Sequence, residues 1–443
     1  MPKKKFSDFS PGRTIIFSML AAIALGTFLL SLPAMRTTSM SVIDLLFTAT
    51  SITCVTGLQT VPLTNFTPLG QFIVLILMQI GGLGLITLTI FILSIFVQLG
   101  MTTQLLAGQI LELESWKNIK NLLFFIIQLT LFFEGIGALI TFFIIKHEFA
   151  GLQAVFYAIF HAVSSFCDAG FCLFPDGMIR YNHNPFMLIS TSMLMLFGGL
   201  GFITWHELSE YIKARCSQKR MHLSLYSKIV LSTSTIIIIS TAVIYWMLER
   251  HNTFAEMSPF IALCNTLFNA IASRSTGFIT IPVGELQIAT LFMVMLVAFI
   301  GSAPGSTGSG IKTTTFAIFL ATIKSAVTEK NFVQIKGRRI AQDQVFKTLA
   351  IIAISLGWIL LTIFCLLITE RNFDFFEIAF EVVSAFATLG ISTGITPYLS
   401  LSGKLFIIVT MIIGRIGSLT VMLALWKKPE MQEFKYPEER VML

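Results

Sequence analysis

Thr53-Cys54-Val55-Thr56-Gly57 closes a short apolar segment, 42–54, and the same arrangement returns three times. Segment 153–167 runs into Asp168-Ala169-Gly170, 258–273 into Ser275-Thr276-Gly277, and 374–388 into Thr388-Leu389-Gly390. The closing glycines are spaced by 113, 107 and 113 residues. Each short segment is too short to cross a hydrocarbon core of about 30 Å, which takes about 20 apolar residues. Each is flanked by longer apolar runs, near 13–33, 69–98, 119–146, 185–212, 224–247, 286–325 (interrupted), 346–369 and 402–426. The pattern is long, short, long, four times over. It predicts an all-α polytopic membrane protein built from four tandem helix–pore helix–helix repeats around a central ion path, with eight spanning helices.

Composition agrees. Of 443 residues, 55% are hydrophobic and 12% are charged, against about 25% charged in an average soluble chain. A water-soluble globule is excluded. The net charge of +7 is not a nucleic-acid signature, because Lys and Arg gather in alternate connections between apolar runs. With Lys3, Lys4 and Lys5 on the inside, the inner loops carry a roughly threefold excess of basic residues, the positive-inside pattern. Both termini are then expected in the cytoplasm, with the short segments dipping in from outside, in a multi-pass protein of the cell's inner or plasma membrane. The six cysteines form no CxxC and no Cys/His spacing suited to zinc, so they read as small membrane hydrophobes. Quarter boundaries fall at 1–118, 119–220, 221–345 and 346–443.

Irregular backbone at membrane depth is tolerated only where protein or water satisfies its polar groups. Four turns meeting on one axis would aim carbonyls at that axis, and a ring of carbonyls can replace an alkali cation's hydration shell. Short helices ending there add negative partial charge. Val55, Thr56, Gly57, Asp168, Ala169, Gly170, Ser275, Thr276, Gly277, Thr388, Leu389 and Gly390 are therefore candidate filter residues for a cation. The competing explanation is a set of ordinary glycine turns in a secondary transporter.

As an ordered set, Thr53-Cys-Val-Thr-Gly57-Leu, Ser165-Phe-Cys-Asp-Ala-Gly170-Phe, Ala272-Ser-Arg-Ser-Thr-Gly277-Phe and Phe386-Ala-Thr-Leu-Gly390-Ile-Ser-Thr-Gly394 resemble the potassium-uptake superfamily that includes KtrB, TrkH and the plant HKT transporters. The short eight-helix form and Gly414-Arg415-Ile-Gly417 look more like KtrB. The resemblance implies a K⁺ path through one subunit, with one filter glycine per repeat. Some Na⁺-preferring plant relatives carry Ser at the first place, where this chain has Gly57. It further implies a homodimer in membrane lipid over a ring of KtrA-like RCK subunits. Nucleotide would bind on that partner only, and Na⁺ would serve as an activator. The loop from Lys336 to Lys347 and the tail from Tyr436 are candidate contacts for such a partner.

Gly301-Ser-Ala-Pro-Gly305-Ser-Thr-Gly308-Ser-Gly310-Ile-Lys312 breaks the sixth long run. Four glycines and a proline so close together cannot continue as helix. Such backbone should line the path, and the resemblance makes it a gate loop below the filter. The alternative is a structural kink. A phosphate-binding reading fails, because Ile311 spoils the GxxxxGK[ST] spacing and no strand precedes it. Arg415, within the last long run, is a candidate pore charge or one half of a buried ion pair. Lys312 either acts similarly or anchors the loop. Glu134 either binds a coupling cation or holds a turn, and Arg274 is expected to pair with Asp168 or Glu381. No HExxH, GxSxG or paired-Asp set suggests an enzyme, and no cofactor or nucleic-acid site is expected.

Overall fold

The structure is a computed structural model, which describes residues 11–84, 119–418 and 420–421. The N-terminal lysines, the connection 85–118 and the tail from Tyr436 lie outside the described residues. Within them the chain forms fourteen α-helices: α1 Pro11–Ser31, α2 Val42–Thr53, α3 Pro68–Leu83, α4 Ile119–Ile145, α5 Gly151–Phe166, α6 Pro185–Gly199, α7 Phe202–Cys216, α8 Leu225–Glu249, α9 Pro259–Ala272, α10 Ile288–Phe299, α11 Thr313–Val327, α12 Gln342–Thr369, α13 Phe375–Ala387 and α14 Leu401–Ile416. The all-helical expectation needs one small correction. Gln334–Ile335 (β1) and Arg338–Arg339 (β2) pair as an antiparallel hairpin. The turn suits it, since Lys336 and Gly337 both have positive φ, 47° and 78°, as a two-residue hairpin loop requires.

The helices fall into four triplets: α1-α2-α3, α4-α5-α6, α8-α9-α10 and α12-α13-α14. Three of the four inner helices start on a side-chain cap. Thr67 caps α3, Asn184 caps α6 and Ser400 caps α14. In each triplet the third helix packs on the short helix of the next: α3 on α5, α6 on α9, α10 on α13, and α14 back on α2. The arrangement is a closed ring of four.

Four of its buried apolar clusters join adjacent triplets, and a fifth, with Leu122, Phe166 and Phe202, packs mainly within the second triplet and α7. Phe47 meets Val382 and Ile407 between the first and fourth triplets. Ile52 and Val74 share a cluster with Phe160 and Phe171. Phe174 and Met187 join Phe268 and Phe278, and Leu291 and Val294 join Phe380 and Leu389. The outer surface is apolar too. On α4, Leu131, Phe132 and Leu139 are each about 60% exposed, a face only a hydrocarbon solvent would cover.

The inner helices depart from the long runs expected of them. Among the described residues, α4, α8 and α12 are long and apolar enough to span alone. The expected run 185–212 is two helices, α6 and α7, bent by 98°. Its cause is Gly201, whose φ of +85° no helix accommodates. α3 and α14 stop at equivalent glycines, Gly84 and Gly417, with φ of +81° and +92°. Run 286–325 is broken more widely, between α10 and α11.

Candidate functional site

Each short helix delivers its C-terminal end to a glycine turn, and the four turns touch in a cycle. All four closing glycines have positive φ: Gly57 95°, Gly170 69°, Gly277 68° and Gly390 84°. A Cβ on Gly57 would stand 2.8 Å from the Ala169 carbonyl oxygen, and one on Gly170 2.2 Å from that of Thr276. One on Gly277 would stand 2.6 Å from the Leu389 oxygen, and one on Gly390 2.1 Å from that of Thr56. Each glycine thus faces the carbonyl just before the next glycine, and the fourth returns to the first. Only a residue without Cβ fits at these φ values and distances.

The turn geometry is shared by three of the four. Val55, Asp168 and Thr388 adopt the left-handed region, with φ of 56°, 58° and 51°. The next amide in each reaches back five residues: Thr56 to Ser51 at 2.7 Å, Ala169 to Ser164 at 2.8 Å, and Leu389 to Ser384 at 2.8 Å. Left-handed φ at β-branched Val55 and Thr388 costs about 1–3 kcal/mol each, a strain that concentrates at functional sites. In the third turn the Thr276 amide instead reaches Ala272 at 3.2 Å.

Behind the turns sit polar braces. Glu381 accepts hydrogen bonds from Ser392 at 2.9 Å and from Thr396. Asn269 donates to Thr280 at 2.8 Å. Glu134 accepts from Gln79 at 3.2 Å and lies 3.9 Å from the Cys167 sulfur. It therefore stands behind the second turn, linking α4 to α3. Arg274 departs from expectation. Among the described residues it forms no ion pair, and its Nη2 donates to Ser234 at 3.5 Å and to the Gly301 carbonyl at 3.4 Å.

That carbonyl begins the loop joining α10 to α11. Residues 301–312 fold back on themselves: Ser302 donates to the Ser309 carbonyl at 3.3 Å, and Ile300 bridges Ile311. Gly305 and Gly310 turn the chain with φ of +64° and +75°. Residues 301–304 and 307–309 are buried. The second triplet holds the loop from one side. The amides of Ala303 and Thr307 donate to the carbonyls of Gly199 and Gly198, at 3.1 and 3.3 Å. Lys312 donates to the Gly308 carbonyl at 2.8 Å, closing the loop's exit.

Arg415 holds the loop from the other side. Its Nη1 donates to the Thr307 carbonyl and, at 3.1 Å, to Ser309 Oγ. Its Nη2 donates to the Gly81 carbonyl and, at 3.5 Å, to that of Gly82. One guanidinium on the fourth triplet therefore joins the end of α3 to the loop of the third. The first and third triplets are not adjacent in the ring, so Arg415 reaches across it.

Sequence reasoning singled out the run holding Ser302 and Thr307 but not their side-chain contacts with Ser275 and Asp168. In sequence, Gly198-Gly199-Leu-Gly201-Phe-Ile-Thr204 repeats Gly81-Gly82-Leu-Gly84-Leu-Ile-Thr87, and Gly81, Gly301 and Gly414 each follow a closing glycine by 24 residues. In space, Gly198 is the counterpart of Gly81 and Gly414. A Cβ on any of the three would meet the backbone oxygen of Thr53, Phe166 or Phe386, four residues before the turn, at 2.4, 2.0 and 1.9 Å. The same Gly-x-x-Gly spacing joins 414–417 to 81–84 and 198–201.

Comparison with known proteins agrees with this architecture. Residues 12–436 match the TrkH family, described as a cation transport protein. The chain is 36% identical to the Ktr system potassium uptake protein B of Vibrio alginolyticus, over 97% of this chain and 94% of that protein. It is 34% identical to the potassium/sodium uptake protein NtpJ of Enterococcus hirae, over 100% of this chain and 99% of that one. The crystal structure of the potassium transporter TrkH from Vibrio parahaemolyticus shares the fold. It superposes with a TM-score of 0.75 at 19% identity, covering 96% of this chain and 87% of that chain. The chain is a multi-pass membrane protein and belongs to the TrkH family of cation transport proteins.

Proposed function

We propose that the protein takes up K⁺ through a channel-like pore, as the membrane subunit of a Ktr-type system. The cyclic contact of Gly57, Gly170, Gly277 and Gly390 with the carbonyls of Ala169, Thr276, Leu389 and Thr56 is the observation that carries this reading. Four carbonyl-bearing turns around one axis supply the oxygen cage that a dehydrated alkali cation needs. The short helices add the negative ends of their dipoles. On this reading the four triplets are membrane–pore–membrane repeats, eight crossings bring both termini to the cytoplasm, and membrane potential drives K⁺ inward. Loop 301–312, with Gly301, Gly305, Gly308, Gly310 and Lys312, is the gate beneath the filter, and Arg415 is the charge that closes over it.

Relatives named as Ktr system proteins support a multi-component assembly. We extend this to a homodimer in lipid, bound to a cytoplasmic nucleotide-binding RCK ring, with Na⁺ as an activator. The potassium/sodium name of the Enterococcus relative favours one alternative, a pore that admits both ions. Flux of K⁺ and Na⁺ in proteoliposomes decides between them. Gly57→Ser is expected to lower the preference for K⁺ over Na⁺ markedly, since its Cβ faces the Ala169 oxygen at 2.8 Å. An unchanged ratio would refute the filter assignment.

A further inference from the structure

Thr307 stands at the junction between ring and loop. Its hydroxyl donates to Asp168 Oδ2 at 2.9 Å. Its amide is held by the Gly198 carbonyl, and its own carbonyl is held by Arg415. Ser275, in the third turn, donates to the same Asp168 oxygen at 3.3 Å and lies 3.0 Å from Ser302 of the loop. None of these four side chains is more than 3% exposed. A carboxylate and three hydroxyls thus form one buried oxygen cluster between turns and loop.

The cluster is incomplete in one respect. Asp168 Oδ1 is buried and accepts no hydrogen bond from the described residues. Arg274 and Arg415 stand near the carboxylate, but their hydrogen bonds go to hydroxyls and to the carbonyls of Gly301, Thr307, Gly81 and Gly82. A buried carboxylate with an open oxygen is unfavourable until a cation or donor meets it. Asp168 also directly precedes Ala169, whose carbonyl belongs to the ring.

We propose that Thr307 and Asp168 form an ion-sensitive latch. With the Thr307 hydroxyl on Asp168, the loop is fixed against the second turn. A monovalent cation coming off the ring is drawn to the carboxylate, displaces the hydroxyl and frees the loop. The two arginines oppose a long stay, so the ion moves on and the latch reforms. Thr307 is accordingly a positioning residue for the gate, and Asp168 is a transient cation site distinct from the carbonyl ring. This inference rests on the reading of ring as filter and loop as gate.

The test measures K⁺ and Na⁺ flux of the full chain in proteoliposomes, without any partner protein. Thr307→Val keeps the shape and removes the hydroxyl. It is expected to raise K⁺ flux at low K⁺ about tenfold, in keeping with loss of a hydrogen bond to a charged group, with the K⁺/Na⁺ ratio unchanged. Thr307→Ser restores the hydroxyl and brings flux back to that of the parent chain. Asp168→Asn still accepts a hydrogen bond but carries no charge, so its flux should rise less steeply with K⁺. If Thr307→Val does not give monodisperse protein, Thr307→Ala carries the same expectation. Flux at or below the parent level in the folded Thr307 variants, or an unaltered K⁺ dependence in Asp168→Asn, overturns the latch. Gly57→Ser, run in parallel, separates the outcomes: if it shifts the ion ratio while the Thr307 variants do nothing, the filter stands and only the latch falls.

Discussion

Gly81, Gly198 and Gly414 each lean on a carbonyl at the end of their own short helix, whereas Gly301 leans on Ser309 of the loop, where a Cβ would come within 1.7 Å. In the first, second and fourth triplets, the inner helix breaks within four residues at a glycine of positive φ. In the third, the break is widened to the twelve residues from Gly301 to Lys312. The two arrangements place close backbone contact at corresponding points and use it differently. Where the break is short, the glycine pins the short helix and so fixes the turn. Where it is long, the glycine packs on the loop, and the third turn loses the left-handed residue and the five-residue hydrogen bond that the others share. Three quarters of the ring share one turn geometry, and the fourth carries the loop that we propose to move.

Alanine at the two kinds of glycine gives the largest contrast. Gly414→Ala drives a methyl into the Phe386 oxygen at 1.9 Å, and overpacking of that kind costs about 1–3 kcal/mol. Gly414→Ala is expected to lower the thermal midpoint and the yield of monodisperse protein. Gly301→Ala should displace the loop instead, leaving the midpoint near that of the parent chain while raising flux. Equal destabilisation by both would erase the distinction. Arg415→Lys comes next. A lysine keeps the charge but cannot fork between the Thr307 and Gly81 carbonyls, so flux should rise a few-fold at constant ion selectivity. Flux equal to the parent's would show that charge alone matters at this position.

The smallest effect is expected far from the third triplet, at the seam that closes the ring. Lys404 of α14 donates to Asp44 of α2 at 2.8 Å, with side chains 13% and 18% exposed. Burial pulls the Asp44 carboxyl upward, but hydrogen bonds from Lys404 and Ser41 and the charge of Lys404 outweigh it. The carboxyl therefore sits below its ordinary 3.8. A depressed value stabilises the fold above the ordinary carboxylate pKa, and that contribution fades as pH falls through the lowered one. Lys404→Met should destabilise modestly at neutral pH, and less as pH falls below the lowered carboxyl pKa. Gating should not change. A change in flux at constant stability would mean that the seam and the gate are coupled.

Much of this was legible in the chain because its strongest signals are local. The segments expected at 42–54, 153–167, 258–273 and 374–388 contain all of α2, α9 and α13, and all but the first two residues of α5. Apolar length and a closing glycine are both properties of neighbouring residues. The breaks at Gly84 and Gly417 were not legible, since apolar character runs on through them while only the backbone angle changes, and at Gly201 polar residues begin only several positions later. Side-chain partnerships were hidden for another reason. Thr307 and Asp168 are 139 residues apart, and Gln79 and Glu134 are 55 apart, and nothing in either member of a pair names the other. Arg274 shows the opposite failure. Charge complementarity pointed to a carboxylate, but the backbone of a non-helical loop offered carbonyls closer at hand.

The four apolar seams have a mechanical consequence. A globule with one central core resists deformation from the inside. This molecule keeps most of its buried grease between staves and leaves the hub to oxygen and backbone. The contacts that set how the staves lean on one another therefore lie between them, close to their lipid-facing sides. Thinning the bilayer, or stretching it sideways, would ease the seams first. If the hub is the filter proposed above, an ion there would feel that change as a slackening of its cage, carried by the tilt of the staves.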